Sequence, residues 1–229
     1  MNLDEKLISI NEKIELAQRK SIHKNVVKVI AVTKTHPFSF IEKSYNSNIY
    51  SIGENKVQEA EKKFEPFQKM PKIERRFIGH LQSNKVRKCL SLFDTVDTID
   101  SVKLAKKISN IAEETNRKIT GLIEINTSGE SQKKGFLPKE VDDIQKCLNL
   151  PSLKIVGLMT IGPNTKNINK VRRAFKNLRK LKDLINTKNK NRDLSELSMG
   201  MSGDYEVAIE EGSTMIRLGT ALFGVRGSL

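Results

Sequence analysis

Residues 26–37 read VVKVIAVTKTHP, and this stretch decides the fold. Residues 26–33 form an almost uninterrupted β-branched run, which is typical of a strand buried on both faces of a parallel sheet. Comparable strand-length apolar runs recur at residues 49–53, 76–79, 94–98, 119–126, 153–160, 195–200 and 214–219. The sequence therefore predicts a series of eight strands.

Helical patterns separate most of these strands. An apolar stripe from Leu3 to Ala17 predicts an additional amphipathic helix at the N-terminus. Further helical patterns lie at residues 56–65, 83–91, 101–116, 138–148, 167–187 and 204–211. Strands separated by helices pair in parallel through right-handed crossovers. The sequence predicts a single α/β domain over residues 1–229, a (β/α)₈ TIM barrel with an extra N-terminal helix. An open sheet with one or two wrongly assigned strands is the alternative.

The composition is that of a basic globular protein, with 41 Lys and Arg against 27 Asp and Glu, a formal net charge of +14. Such a charge is compatible with nucleic-acid or anionic-membrane binding. The lysines are scattered over every predicted helix and the chain has no Trp. This distribution favours a lysine-rich solvated surface over binding to nucleic acid or to a membrane. The N-terminus lacks a signal-peptide pattern, and no apolar run is long enough to span a membrane.

The chain has two cysteines, Cys89 and Cys147, and no CxxC spacing. We interpret them as reduced thiols of a cytoplasmic protein. His36 and His80 lie in predicted turns or strand ends, and no HxH or HExxH pattern accompanies them. The sequence therefore predicts no metal site.

Functional residues of a TIM barrel lie at the C-terminal ends of the strands. Lys34 follows the first predicted strand, where desolvation lowers an amine's pKa and makes it able to attack an aldehyde. The alternatives are a lysine that extends to the rim, or one that pairs with a carboxylate such as Glu54.

The loops after the last two strands are rich in small residues. Ser202-Gly203 precedes a short predicted helix, and Gly219-Thr220 follows the eighth strand. Such loops commonly bind phosphate, although small residues also serve as helix caps and tight turns. A Schiff-base lysine and a phosphate-binding loop at one barrel mouth together fit pyridoxal 5′-phosphate (PLP).

Arg217 lies on the eighth predicted strand, where alternation can turn it inward. Its guanidinium could face the pyridine nitrogen of PLP and keep that nitrogen unprotonated, which weakens the ring as an electron sink. A structural salt bridge to Glu210 or Glu124 is the competing interpretation.

Several long motifs resemble the YggS/PROSC family of pyridoxal phosphate homeostasis proteins over nearly the whole chain. They are AVTKTHP (31–37), GENKVQE (53–59), RFIGHLQSNK (76–85), EINTSGESQKKGF (124–136), GLMTIGP (157–163), LSMGMSGDYEVAIEEGST (197–214) and IRLGTALFG (216–224). The resemblance implies a fold similar to the N-terminal barrel of alanine racemase, with PLP on Lys34 and Arg217 at the pyridine nitrogen. It implies phosphate contacts from Ser202, Gly219 and Thr220, and a cofactor pocket lined by these four residues: Asn55, Ile78, Ser198 and Met199. Lys133 matches a lysine that the resemblance expects to take part in PLP transfer. Lys134 is adjacent in the sequence, so the match does not by itself separate the two lysines.

The same resemblance implies a monomeric PLP carrier that buffers the cofactor or delivers it to apo-enzymes, with effects on amino-acid and keto-acid balance. Racemases of this fold have a second domain and a second catalytic base. Because this sequence ends at residue 229 after its eighth strand, we expect storage or delivery of PLP and no catalysis. A racemase-like enzyme of low activity is the alternative.

Overall fold

A computed structural model describes residues 2–64, 70–189 and 193–224. Within these residues eight parallel strands form a closed barrel in chain order, with the first strand paired to the last. The strands are β1 (Lys28–Val32), β2 (Ser51–Glu54), β3 (Glu74–Phe77), β4 (Thr95–Ile99), β5 (Ile119–Glu124), β6 (Leu153–Met159), β7 (Glu196–Met201) and β8 (Met215–Leu218). The predicted TIM barrel is confirmed, and the open sheet is excluded.

Helices surround this barrel on its outer side. They are α1 (Leu3–Lys20), α2 (Ser39–Asn46), α3 (Val57–Lys63), α4 (Val86–Leu92), α5 (Val102–Glu114), α6 (Val141–Leu148), α7 (Ile168–Lys188), α8 (Tyr205–Glu210) and α9 (Thr220–Phe223). A short 3-10 turn, Ser83–Lys85, precedes α4. None of the helices in the described ranges is long and apolar enough to cross a membrane.

The core has an inner and an outer part. Ile30, Leu122, Met159 and Met215 form a small buried cluster, and they come from strands on different sides of the barrel. Side chains from such strands can meet only inside the barrel, so this cluster is its interior packing. The larger apolar cluster lies between the strands and the surrounding helices.

The predicted N-terminal helix is present as α1. The side chain of Asn2 accepts a hydrogen bond from the Glu5 amide, and the Glu5 side chain accepts one from the Asn2 amide, which forms a capping box. Its buried face, Ile10, Ile14 and Ala17, belongs to the side that packs on α8 and α9. The helix therefore covers the last βα unit from outside.

Helix α2 was not predicted from the sequence. It has a single fully buried apolar side chain, Ile41, and no side-chain cap at its N-terminus. A helix this short shows too little apolar periodicity to be recognised in a sequence.

Strand β3 begins earlier than residues 76–79, the range that the apolar run indicated. Its first residues, Glu74, Arg75 and Arg76, are charged and resemble a loop. Arg76 is buried and makes two hydrogen bonds to Asp97, at 2.8 and 3.0 Å, while Arg75 pairs with Asp94. Partners on or just before the neighbouring strand thus allow charged residues to occupy a barrel strand.

Candidate functional site

A cavity of about 280 Å³ opens at the C-terminal mouth of the barrel beside Lys34. Its wall consists of Val32, Lys34, His36, Ile78, Met159, Ile161, Met201, Ser202, Gly203, Arg217, Gly219, Thr220 and Gly224. We call this space the mouth cavity. Most of the residues predicted to contact a cofactor lie on it: Lys34, Ile78, Ser202, Arg217, Gly219 and Thr220. The fold therefore brings residues that are far apart in the sequence, such as Lys34 and Arg217, to the wall of one cavity.

Lys34 lies just beyond the end of β1. A hydrogen bond of 3.0 Å from the amide of His36 to the carbonyl of Thr33 closes the turn that carries it. The side chain is half-buried and lines the mouth cavity. Glu54, the carboxylate considered as its alternative partner, accepts hydrogen bonds from Thr33 Oγ1 at 2.7 Å and from Lys63 Nζ at 3.0 Å.

A second cavity of about 300 Å³ adjoins the first and shares Lys34, Ile78 and Ile161 with it. We call it the side cavity. The predicted residues Asn55 and Lys133 lie on its wall. Asn55 Oδ1 is buried and accepts no hydrogen bond from the described residues, so a ligand donor could satisfy it.

Arg217 is buried on β8 and is held by residues on β7 and just after β6. Nη1 donates to the carbonyl and the hydroxyl of Ser198, at 2.8 and 2.7 Å, and Nη2 donates to the carbonyl of Thr160 at 2.8 Å. Burial lowers the pKa of the guanidinium from its usual value, against the attraction of Asp97 and Asp204. An arginine nevertheless stays protonated in a protein. The mouth cavity thus has a fixed cation in its wall.

The alternative interpretation of Arg217, a salt bridge to Glu210, is wrong. Glu210 lies on the outside of the barrel, where its carboxylate is 2.5 Å from Arg172 and 3.7 Å from Lys20. Glu124 acts on Arg217 through space, as one of the carboxylates that raise the pKa of the guanidinium.

The loops after β7 and β8 meet at one side of the mouth cavity. The hydroxyl oxygen of Ser202 accepts a 3.0 Å hydrogen bond from the amide of Ala221, which ties the loop after β7 to the start of α9. A Cβ added to Gly203 would have no atom within 4 Å, so the backbone there borders open space. Small residues with accessible amides beside a cationic wall suit an anion such as a phosphate group.

Two predicted cofactor residues, Ser198 and Met199, lie behind the cavity wall. Both are fully buried: Ser198 accepts hydrogen bonds from Arg217, and Met199 packs in the outer core. Met201 lines the mouth cavity instead. Gly200 has a φ of 98°, and the pairing of β7 with β8 shifts register here, so simple alternation along the strand does not place these side chains.

Glu124 is a candidate functional residue that sequence reasoning considered only as a salt-bridge partner. It ends β5, is 8% exposed and lies on the wall of the side cavity with Lys34. Burial, together with the negative charge of Asp100, raises the pKa of this carboxyl to about 7, although Arg217 acts against the rise. A carboxyl that titrates near neutral pH can give or take a proton.

Other lining residues were also not singled out: Val32, Met159, Ile161, Met201 and Gly224. Most of them belong to the strand-end segments that the barrel rule identified, and that rule is the signal which could have found them. Among the described residues no group of three or more His, Cys, Asp or Glu side chains is placed to hold a metal ion.

The chain is similar to characterised proteins over almost its full length. The model of the alanine racemase N-terminal domain matches residues 6–227. The pyridoxal phosphate homeostasis protein of Aquifex aeolicus (strain VF5) is 40% identical over 228 residues, which cover 99% of each chain. The chain belongs to the family of pyridoxal phosphate homeostasis proteins.

Another member of this family, from Haemophilus influenzae, is 38% identical over 99% of this chain and 97% of its own. PipY of Synechococcus elongatus PCC7942, solved with PLP bound, is 31% identical and superposes with a TM-score of 0.85. That alignment covers 97% of this chain and all of PipY. The resemblance drawn from the motifs is thus confirmed.

Proposed function

We propose that this chain binds PLP in the mouth cavity, holds it as a Schiff base on Lys34 and thereby serves PLP homeostasis. The observation that carries the proposal is the mouth cavity itself, which joins the half-buried amine of Lys34, the buried guanidinium of Arg217 and the small-residue loops after β7 and β8. An amine, a cation and an anion-binding loop are what an aldehyde that carries a phosphate requires.

Each part of the cavity has a role in holding the cofactor. Bound PLP supplies an aldehyde that an amine can capture and a ring that can withdraw electrons from an attached carbon. Ser202, Gly203, Gly219 and Thr220 are the residues on the wall that would receive its phosphate. Ile78, Val32 and Met159 provide apolar surface for its ring. Asn55, on the wall of the adjoining side cavity, has a buried acceptor that bound cofactor would satisfy.

Arg217 sets the electronic character of this site. Its guanidinium donates hydrogen bonds to Ser198 and Thr160, and we propose that it faces the pyridine nitrogen of the cofactor. A guanidinium only donates hydrogen bonds, so it would keep that nitrogen from gaining a proton. An unprotonated ring withdraws electrons less strongly, which favours holding the cofactor over carbanion chemistry.

The relatives support a role in cofactor supply. Two of them are named pyridoxal phosphate homeostasis proteins, and the similar protein PipY was solved with PLP bound. We propose the same for this chain, as a cytoplasmic monomer that buffers PLP or delivers it to apo-enzymes. Its absence should then disturb amino-acid and keto-acid balance.

Lys133 is the residue we propose for cofactor transfer. It lines the side cavity, as Lys34 does, and its Nζ donates to the carbonyl of Gly162 at 2.7 Å and to Glu130 Oε1 at 3.2 Å. A second amine on the same cavity gives the aldehyde an alternative attachment point as the cofactor leaves. Lys134, also on this wall, is exposed and serves as the matched control.

Borohydride reduction of the PLP-loaded protein, followed by peptide mass mapping, tests the attachment. We expect the pyridoxyl group on the peptide that contains Lys34, and its loss in Lys34→Ala but not in Lys134→Ala. A pyridoxyl group on another lysine of the wild-type protein, or on none, would falsify the proposal. Transfer is measured by the rate at which an apo-enzyme gains activity, which should fall in Lys133→Ala and not in Lys134→Ala.

The position of Glu124 favours a second candidate function, a racemase-like enzyme of low activity. A carboxyl with a pKa near 7 on the cavity beside Lys34 could move a proton at the α-carbon of a bound amino acid. Incubation of the PLP-loaded protein with single amino-acid enantiomers in D₂O distinguishes the two functions. Deuterium at Cα that disappears in Glu124→Gln would establish an enzyme, whereas a pure carrier gives no exchange above free PLP.

A further inference from the structure

The turn that carries Lys34 is held by a buried network of charged side chains from β2 and α3. Lys63 Nζ donates to Glu54 Oε1 at 3.0 Å, to Glu59 Oε1 at 2.8 Å and to the carbonyl of Thr33 at 3.0 Å. Thr33 Oγ1 also donates to Glu54 Oε1 at 2.7 Å. The residue before Lys34 is therefore fixed through both its backbone and its side chain.

The residue after Lys34 is fixed by the same network. The amide of Thr35 donates to Glu59 Oε1 at 2.5 Å. Thr35 has a φ of 67°, a left-handed conformation that is unfavourable for a β-branched residue. It is the third residue of the turn Thr33–His36, a position with positive φ in a type II turn, where glycine is usual. A threonine keeps this conformation only if its surroundings hold it there.

The network is shielded from water. The side chains of Lys63 and Glu54 are 11% and 0% exposed, so water cannot easily replace their contacts. Burial raises the pKa of Glu54, although hydrogen bonds from Thr33 and the charge of Lys63 lower it. Lys63 is the donor that both carboxylates share, so Glu54 and Glu59 each depend on it for compensation of their negative charge.

We propose that Glu54, Glu59 and Lys63 form a clamp that positions Lys34 for attachment of the cofactor. The inference rests on the proposed function, since it assigns these groups to the delivery of the Lys34 amine into the mouth cavity. None of them lies on the wall of that cavity, so they act through the turn and are positioning residues. Without the clamp the turn is free to leave the left-handed conformation, and the amine then spends less time at the cavity.

Glu59 is the member best suited to substitution, because it is the least buried of the three. Glu59→Ala removes the acceptor for the Thr35 amide, whereas Glu59→Gln keeps an oxygen for both Thr35 and Lys63. Glu61, on the same helix, is half-exposed and pairs with Lys88, so Glu61→Ala is the matched control. Protection of Cys89, a buried thiol, against a thiol reagent shows that each variant is folded.

Two measurements test the clamp. The first, hydrogen exchange of the Thr35 amide in the protein without PLP, does not depend on the cofactor. Loss of its charged acceptor should raise the exchange rate by about tenfold or more in Glu59→Ala, and not in Glu59→Gln or Glu61→Ala. The second is the rate of pyridoxyl attachment to Lys34 at limiting PLP, which should fall by about tenfold in Glu59→Ala and recover in Glu59→Gln.

Each outcome has one meaning. Unchanged amide exchange in folded Glu59→Ala overturns the clamp. Faster exchange together with an attachment rate equal to that of Glu61→Ala overturns its positioning role. If the wild-type protein gains no pyridoxyl group on Lys34, the proposed function fails and the positioning role fails with it, even where the exchange result shows that the turn is held.

Discussion

Replacing Glu124 with glutamine tests the electrostatics of the side cavity. The carboxyl is buried on β5, and burial together with the charge of Asp100 raises its pKa in the folded protein from the ordinary value of 4.5 to about 7. In the unfolded chain the group ionises near that ordinary value. A carboxyl with a raised pKa in the folded state favours folding while it is protonated, and that contribution is lost as pH rises through the folded-state pKa.

The size of this effect follows from the shift. The pKa of Glu124 rises from 4.5 to about 7, and one pKa unit corresponds to about 1.36 kcal/mol. Ionised Glu124 therefore lowers the free energy of unfolding by about 3 kcal/mol at alkaline pH. At about pH 5 most of this penalty is absent, because the folded protein still binds the proton. The cost should grow by about 2.5 kcal/mol between about pH 5 and pH 8.

Urea unfolding of the protein without PLP measures this difference. Glu124→Gln keeps the size of the side chain and removes its charge. Its stability relative to the wild-type protein should therefore increase by about 2.5 kcal/mol between about pH 5 and pH 8. Glu61→Gln, an exposed position paired with Lys88, is the control and should follow the wild-type curve. A constant difference between Glu124→Gln and wild type across this pH range would refute the reasoning, because it would mean that Glu124 titrates normally.

Three further predictions concern positions where geometry leaves little freedom. Gly79→Ala should unfold at a markedly lower urea concentration, by about 2–4 kcal/mol, because its Cβ would lie 2.2 Å from the carbonyl oxygen of Asn55. Arg217→Met should lose about 3 kcal/mol of stability, since it leaves buried acceptors without a donor, and should weaken PLP binding measured by equilibrium dialysis. Cys89 and Cys147 should not react with a thiol reagent until the protein unfolds, because burial raises the pKa of both thiols. Rapid reaction of either in the folded protein would contradict their burial.

Much of the fold could be predicted from the sequence because parallel barrel strands are short continuous apolar runs. The run 26–33 and its counterparts gave the number and order of the strands, and the closed barrel agrees with them. The prediction was weakest where local pattern and environment disagree. Helix α2 is too short to show a period, and the charged start of β3 is stabilised by Asp97 and Asp94 on or just before the next strand.

The candidate site was partly predictable for the same reason. Strand ends can be read from the sequence, and the barrel brings them to one mouth, so Lys34, Ser202, Arg217, Gly219 and Thr220 were all expected there and all line one cavity. The positions of Ser198 and Met199 were not predictable, because the register shift and the positive φ of Gly200 are properties of the assembled sheet.

The sequence by itself determined the barrel, its strand order and the residues available at its mouth, because each depends on composition within a few neighbouring positions. The tertiary structure alone decided which charges are buried together. The raised pKa of Glu124 depends on Asp100, which follows another strand, and the Lys34 turn is held because Thr33 contacts Glu54 and Lys63 from later elements of the chain. Electrostatic energies depend on distance in space and on the exclusion of water, and neither quantity is local in the sequence.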